Sequence, residues 1–260
     1  MSLLVDVHCH LDHKDFDDVG QIVERARQAG LKVIITSGIN PETNRISLQL
    51  QERFDIVKAS LGIYPVDALQ NEVSSMEYPM KLEPFDIDKE LDFIAQHKSE
   101  IMAIGEVGLD YESGSKIAEQ KALFEKCIHL AERLNKPIIV HSRKAEADCV
   151  AMLESSRIKR VMMHCFHGRF SLVNKVIENG WYLSVPTNVV RSEHFQKIVK
   201  LVDLSRLLTE TDAPYLSPFK GIKNEPSFVI ETVKKIAEIK GLDPKEVEHN
   251  IFYNYERLFL

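Results

Sequence analysis

Short apolar runs and amphipathic segments alternate along this chain from one end to the other. Leu3 to Val5 and Val33-Ile34-Ile35 are runs of the kind buried on both faces of a sheet. Between them, residues 15–30 carry Val19, Ile22, Val23 and Ala26 at helical spacing, and Gly30 closes the segment. Pro41 leads into a helix through Arg53, and residues 56–63 predict a third strand. The polar stretch 64–86, with Pro79 and Pro84, shows no clean period and is expected to form a covering loop or a mobile lid. Alternation then resumes with a helix over 88–97, a strand over 101–105, and an amphipathic helix over 116–134. Strands follow at 137–141, 160–164, 181–185 and 207–211, with helices through Leu153 and up to Gly180 between the first three. Amphipathic helices near 228–240 and 244–260 finish the chain. Eight strands separated by helices predict a closed parallel TIM (β/α)8 barrel occupying 1–260 as one domain. The runner-up, an open doubly wound sheet, lacks its usual G-x-G-x-x-G turn after every strand.

Composition fits this reading. At 260 residues and 44% hydrophobic, the chain has the length of a typical barrel of about 250 residues and material for a large core. The net charge of −6 lacks the basic footprint of a protein that coats nucleic acid through its phosphates, so any phosphate contact must be local. No basic-then-apolar leader and no run of about 18 apolar residues occurs, which leads to the expectation of a cytoplasmic protein, neither exported nor inserted in a membrane. Cys9, Cys127, Cys149 and Cys165 are scattered with no C-x-x-C pair, as suits reduced, mostly buried thiols.

The chemistry begins at Asp6-Val7-His8-Cys9-His10. In an extended strand alternate side chains share a face, so His8 and His10 converge while Val7 and Cys9 point the other way. An H-x-H pair alone is a weak signal for a metal. More weight comes from the other metal-capable residues at or just past predicted strand ends: Glu106 on the fourth, His141 on the fifth, His164 on the sixth and Asp212 on the eighth. Barrel enzymes place their active sites at that end. Six such residues on five strand ends, with four of the ten histidines among them, point to a divalent metal site.

Five stretches resemble the TatD family of metal-dependent DNases within the amidohydrolase superfamily: residues 6–12, Ile104-Gly105-Glu106-Val107-Gly108-Leu109-Asp110-Tyr111, Pro137 through Arg143, His164-Cys165-Phe166-His167-Gly168, and Glu210-Thr211-Asp212-Ala213-Pro214-Tyr215. Asn250, Asn254 and Arg257-Leu258-Phe259 are similar to its closing signature. The resemblance implies a divalent-metal TIM barrel that hydrolyses phosphodiester bonds of DNA, often from 3′ to 5′ on single strands; D-aminoacyl-tRNA deacylation or another ester or amide hydrolysis at the same site is the alternative. It implies that His8, His10 and Asp212 hold one ion, that His141 and His164 hold a second, and that Glu106 bridges them. Zinc, manganese, magnesium and cobalt all suit mixed imidazole and carboxylate donors. A glutamate at the bridge, where relatives acting on cyclic amides use a carbamylated lysine, tilts the reading toward phosphoesters.

In the mechanism expected from these residues, Glu106 and Asp212 are the catalytic carboxylates, with Asp212 as acceptor of the proton from the attacking water. Arg143, Lys220 and Lys223 are candidate contacts for substrate phosphates. Asp6 and Glu225 are candidates to buttress the ligands from behind. One departure stands out. Where TatD relatives usually read Gly-x-His-Pro-His, this chain reads Gly62-Ile63-Tyr64-Pro65-Val66, so Tyr64 replaces a cationic candidate substrate contact with a neutral hydroxyl.

Overall fold

Run by run, the apolar segments become eight strands in the computed structural model, which describes residues 2–69 and 84–260. They are β1 (Leu4–Cys9), β2 (Leu31–Ser37), β3 (Val57–Leu61), β4 (Ala103–Asp110), β5 (Ile138–Arg143), β6 (Val161–Met163), β7 (Tyr182–Pro186) and β8 (Leu207–Glu210). Neighbours in the chain are neighbours in the sheet, and all seven successive pairs are parallel. β8 returns to β1: Asp212 N donates to His8 O at 2.9 Å, and His10 N donates to Ala213 O at 2.8 Å. The result is a nearly closed barrel of the TIM type.

The helices between and after the strands are α1 (Val19–Ala29), α2 (Pro41–Arg53), the single turn α3 (Pro65–Ala68), α4 (Ile87–Gln96), α5 (Ile117–Leu134), α6 (Glu146–Glu154), α7 (Phe170–Glu178), α8 (Glu193–Leu201), α9 (Val229–Lys240) and α10 (Pro244–Phe259). Their starts follow from capping chemistry. The α1 helix begins later than its periodicity suggests because the Asp18 carboxylate accepts from Gln21 N, fixing the first turn there. At α2, Asn40 and Thr43 form a reciprocal capping box on either side of Pro41. Asn254 of α10 donates to Leu204 O and Leu207 O, both at 2.8 Å, tying the last helix to the start of β8.

Strand residues are buried throughout, as parallel barrels require; Ile34, Ile104 and Ile139 have no exposed surface. Truncating any of them to alanine would cost about 2–5 kcal/mol. The β4 strand is the main departure from expectation: it runs on to Asp110 instead of ending at Gly105, so Glu106 lies inside a strand. Gly108 makes this extension fit, because a Cβ at its φ of +146° would come within 2.0 Å of His141 O. Gly62 serves the other flank, where a Cβ would meet Glu106 O at 2.3 Å. Of the covering segment expected over 64–86, residues 70–83 lie outside the described residues. Among the described residues, no helix is long and apolar enough to cross a membrane.

Candidate metal centre

Glu106 stands between two pairs of imidazoles. Its Oε2 lies 3.5 Å from His8 Nε2 and 3.4 Å from His10 Nε2, while Oε1 lies 2.7 Å from His141 Nδ1 and 3.7 Å from His164 Nε2. Asp212 Oδ1 closes the first pair, at 3.5 Å from His8 Nε2 and 3.6 Å from His10 Nε2. Donor atoms of His8, His10 and Asp212 all fall within 4.8 Å of one another, and so do those of His8, Glu106 and His164. His8 thus belongs to both groups; its ring stacks on His164 with centroids 3.8 Å apart. His141 joins through Glu106 Oε1. All six residues expected at the strand ends are therefore brought together.

Oxygen atoms behind the imidazoles set their orientation. His10 Nδ1 lies 3.1 Å from Ser37 O, His164 Nδ1 lies 2.9 Å from Glu210 Oε2, and His141 Nε2 lies 3.3 Å from Asp110 Oδ2. These acceptors hold N–H on the outer nitrogen and leave the inner lone pair free to bind a cation. His8 Nδ1 pairs with Ser37 Oγ at 3.1 Å, and its Nε2 is buried with no hydrogen-bond partner. A buried acceptor aimed at two carboxylates and left unpaired costs free energy unless a cation completes it. Four oriented imidazoles with Glu106 and Asp212 fit divalent metal on that ground.

The electrostatics are those of a cation site in which protons take the cation's place. Burial alone would raise the Glu106 carboxyl, but His141 and His8 hold it well below the usual carboxylate range. Asp212 is held low in the same way by His10 and His8 against its own burial. His141, despite burial, is raised to about 9 by Asp110 and Glu106, and His8 is raised by Asp212 and Glu106. Asp110 itself is lowered to about 2 by His141 and Tyr64 acting against its burial.

Local backbone places these groups. Cys165, next to His164, and Asp212 both take left-handed φ angles, 42° and 55°, which turn the chain sharply at the ends of β6 and β8. Asp6 holds the second turn: Thr211 N and Oγ1 donate to its carboxylate at 2.9 and 2.5 Å. Burial raises the Asp6 carboxyl to about 7. Asp6 thus supports the Asp212 corner, and its Oδ1 also accepts from His8 N at 3.3 Å on its own strand. Glu225 lies farther off, bound to Arg25 of α1 at 2.6 Å.

Above the centre opens a cavity of about 1450 Å³, with Arg143 and Tyr64 on its wall. The Tyr64 hydroxyl donates to Asp110 Oδ2 and lies 3.4 Å from His141 Nε2. Lys220 and Lys223 do not line this cavity. Lys223 donates to Asp15 O at 2.6 Å, and the Asn224 side chain fixes the loop by donating to Thr187 Oγ1, Thr211 O and Tyr215 O. Three contributors were not singled out from sequence: Ser37, Asp110 and Glu210. Each ends a strand, so the rule that picked out the ligands reaches them too. Asp110 and Glu210 even lie within two of the stretches that carry the family resemblance.

Residues 5–260 match the profile of TatD related DNases. The deoxyribonuclease TATDN3 of Homo sapiens is 34% identical, with 98% of this chain and 94% of that protein aligned. The metal-dependent hydrolase MJ1582 of Methanocaldococcus jannaschii is 35% identical, with 98% and 96% aligned. Among solved structures, the TatD homolog YJJV of Escherichia coli superposes with a TM-score of 0.86 at 26% identity, over 98% of this chain and 97% of that one. A TatD family hydrolase of Entamoeba histolytica shares the fold with a TM-score of 0.85 at 20% identity, over 100% and 98% of the two chains. A barrel carrying these imidazoles and carboxylates at its strand ends, matched over nearly its whole length, is a metal-dependent hydrolase of the TatD-related DNase family, and this chain belongs to it.

Proposed function

We propose that the protein is a deoxyribonuclease that hydrolyses phosphodiester bonds of single-stranded DNA or DNA 3′ ends, acting 3′ to 5′, with two divalent ions in the centre. One observation carries this reading: each oxygen of Glu106 faces its own pair of imidazoles. Two dications about 3.5–4 Å apart repel strongly, and a shared carboxylate offsets that repulsion. His8, His10 and Asp212 would hold one ion, His141 and His164 the other, and Glu106 both. Bound there, zinc, manganese, magnesium or cobalt would acidify a water and neutralise charge on the phosphoryl oxygens.

The chain's own residues do the rest. Asp212, ionised at neutral pH, accepts the proton of the attacking water and orients it. Arg143 is exposed on the cavity wall, has no side-chain hydrogen bond or ion pair among the described residues, and offers a guanidinium to a substrate phosphate. Tyr64, already bound to Asp110, shapes the cavity and steadies His141. The name of the human relative points to the same substrate.

The test is degradation of 5′-labelled single-stranded DNA by wild type and Asp212→Asn with manganese, magnesium, zinc or cobalt, and with chelator. Metal-dependent shortening from the 3′ end is expected, lowered at least about 100-fold in the variant. Absence of cleavage with every metal, alongside turnover of D-aminoacyl-tRNA, would move the reading to carboxyl esters.

A further inference from the structure

We infer that the rim of the cavity carries a nucleobase platform, in which the ring of His167 stacks a base of the nucleotide whose phosphate is held by Arg143 and Arg169. The inference rests on the phosphodiesterase reading for the substrate, and on rings that the metal centre does not use. His167 follows β6, is exposed, and lines the cavity. It lies parallel to His194 of α8, with centroids 5.5 Å apart and planes inclined by 4°. Phe170, 38% exposed, stacks on His194 in turn at 5.7 Å and 29°. Three rings therefore form one ladder whose inner end is His167.

The ladder is built, not incidental. Buried Phe195 meets both imidazoles edge-on, at 4.9 Å and 75° for His167 and at 5.5 Å and 77° for His194. Backbone carbonyls hold the rings in place: His167 Nδ1 donates to Cys165 O at 2.8 Å and His194 Nε2 donates to Phe166 O at 3.3 Å. A ring already fixed in orientation loses little freedom when a ligand stacks on it.

Charge identifies the ligand. Arg143 and Arg169 are exposed on the same cavity wall, and neither side chain has a hydrogen bond or ion pair among the described residues. Lys144 beside them is paired with Glu112 at 3.2 Å. Two guanidinium groups with free donors call for an anion, and a rigid π face lining the same cavity calls for a flat aromatic group. A nucleotide carries both, whereas a simple phosphate ester carries only the first. Stacking of this kind tolerates any base, since every base presents a π face.

The experiment is calorimetric titration of metal-loaded wild type, His167→Ala and His167→Trp with deoxyadenosine monophosphate and with 2-deoxyribose 5-phosphate. The two ligands share sugar and phosphate and differ in the base, and neither contains a phosphodiester bond. Wild type and His167→Trp should bind the nucleotide about 5- to 30-fold more tightly than the sugar phosphate. In His167→Ala that ratio should fall below about twofold while affinity for the sugar phosphate is unchanged. A ratio below twofold in wild type, or one that survives in His167→Ala, overturns the platform even in an enzyme that degrades DNA. Conversely, the expected ratios in a protein that cleaves no DNA would uphold the platform and overturn only the nuclease reading.

Discussion

Glu210 Oε2 lies 2.9 Å from Nδ1 of His164, so the last residue of β8 aims an imidazole that follows β6. The same oxygen accepts from Ser184 Oγ of β7 at 2.6 Å, and Oε1 accepts from Cys165 N at 3.0 Å. Three strands thus share one buried carboxylate. Loss of a partner behind a metal-binding histidine typically weakens metal affinity about 10- to 100-fold. Glu210→Ala should therefore lower affinity by that factor in competition with a chelating dye, while circular dichroism stays that of wild type. Unchanged affinity would leave Glu210 a purely structural tie.

Elemental analysis of protein from metal-supplemented cells should find about two divalent ions per chain, since each oxygen of Glu106 faces its own pair of imidazoles. His8→Ala combined with His10→Ala should reduce that number to one or fewer. A stoichiometry below one in wild type, indifferent to the double substitution, would remove the site.

The pH dependence of metal-free protein has a definite sign. His141 is raised from 6.5 to about 9, so its contribution to stability is complete below pH 6.5 and is lost as pH rises through 9. Asp6, raised from 3.8 to about 7, works in the same direction, being most favourable while protonated. Chelator-treated protein should therefore lose stability between about pH 4 and 7 through Asp6 and between about pH 6.5 and 9 through His141, at most on the order of 1 kcal/mol per pH unit for each group. Metal-loaded protein should not follow the decline above pH 6.5, because binding displaces the His141 proton. Parallel Tm curves with and without metal would contradict this account.

Tyr64→Phe tests the hydroxyl on Asp110. Hydrogen bonds to charged groups contribute about 1.5–3 kcal/mol, and a tenfold change in kcat/KM corresponds to about 1.36 kcal/mol. Loss of about tenfold on short single-stranded DNA is expected, through looser placement of His141. Agreement of wild type, Tyr64→Phe and Tyr64→His within twofold, on short and long strands alike, would assign Tyr64 to packing over the rim.

Cys9, Cys127 and Cys149 are buried and should be silent in the folded protein, whereas Cys165 is half-buried on the cavity wall. Burial raises Cys127 to about 12 and pushes Cys9 and Cys149 upward as well. At pH 8 a thiol of pKa 12 is ionised in only about one molecule in ten thousand, and the thiolate is the reactive form. Ellman's reagent should find at most one, Cys165, before denaturation and four afterwards. A second fast-reacting thiol in native protein would refute the assignment.

Much of this molecule is legible in the chain. The period of apolar residues determined eight strands and the helices between them, because a parallel strand must be buried on both faces and a covering helix on one. Strand-end position picked out His8, His10, Glu106, His141, His164 and Asp212, because a parallel barrel gathers its strand ends into one mouth. Boundaries were less legible: β4 runs past Gly105 only because Gly108 can lie against the backbone of His141, a contact between residues far apart in the chain.

Tertiary structure alone decided which groups meet. Sequence pointed to Lys220 and Lys223 as phosphate contacts by their proximity to Asp212, but a loop held by Asn224 leaves them off the cavity wall. Nothing local shows that Ser37 serves both His8 and His10, that Glu210 orients His164, or that Tyr64 spends its hydroxyl on Asp110. Strand-end residues are local in sequence, whereas a hydrogen bond between two of them depends on barrel closure, register and side-chain direction together. Periodicity can therefore name the donors of this centre, and only the closed barrel determines how they are aimed.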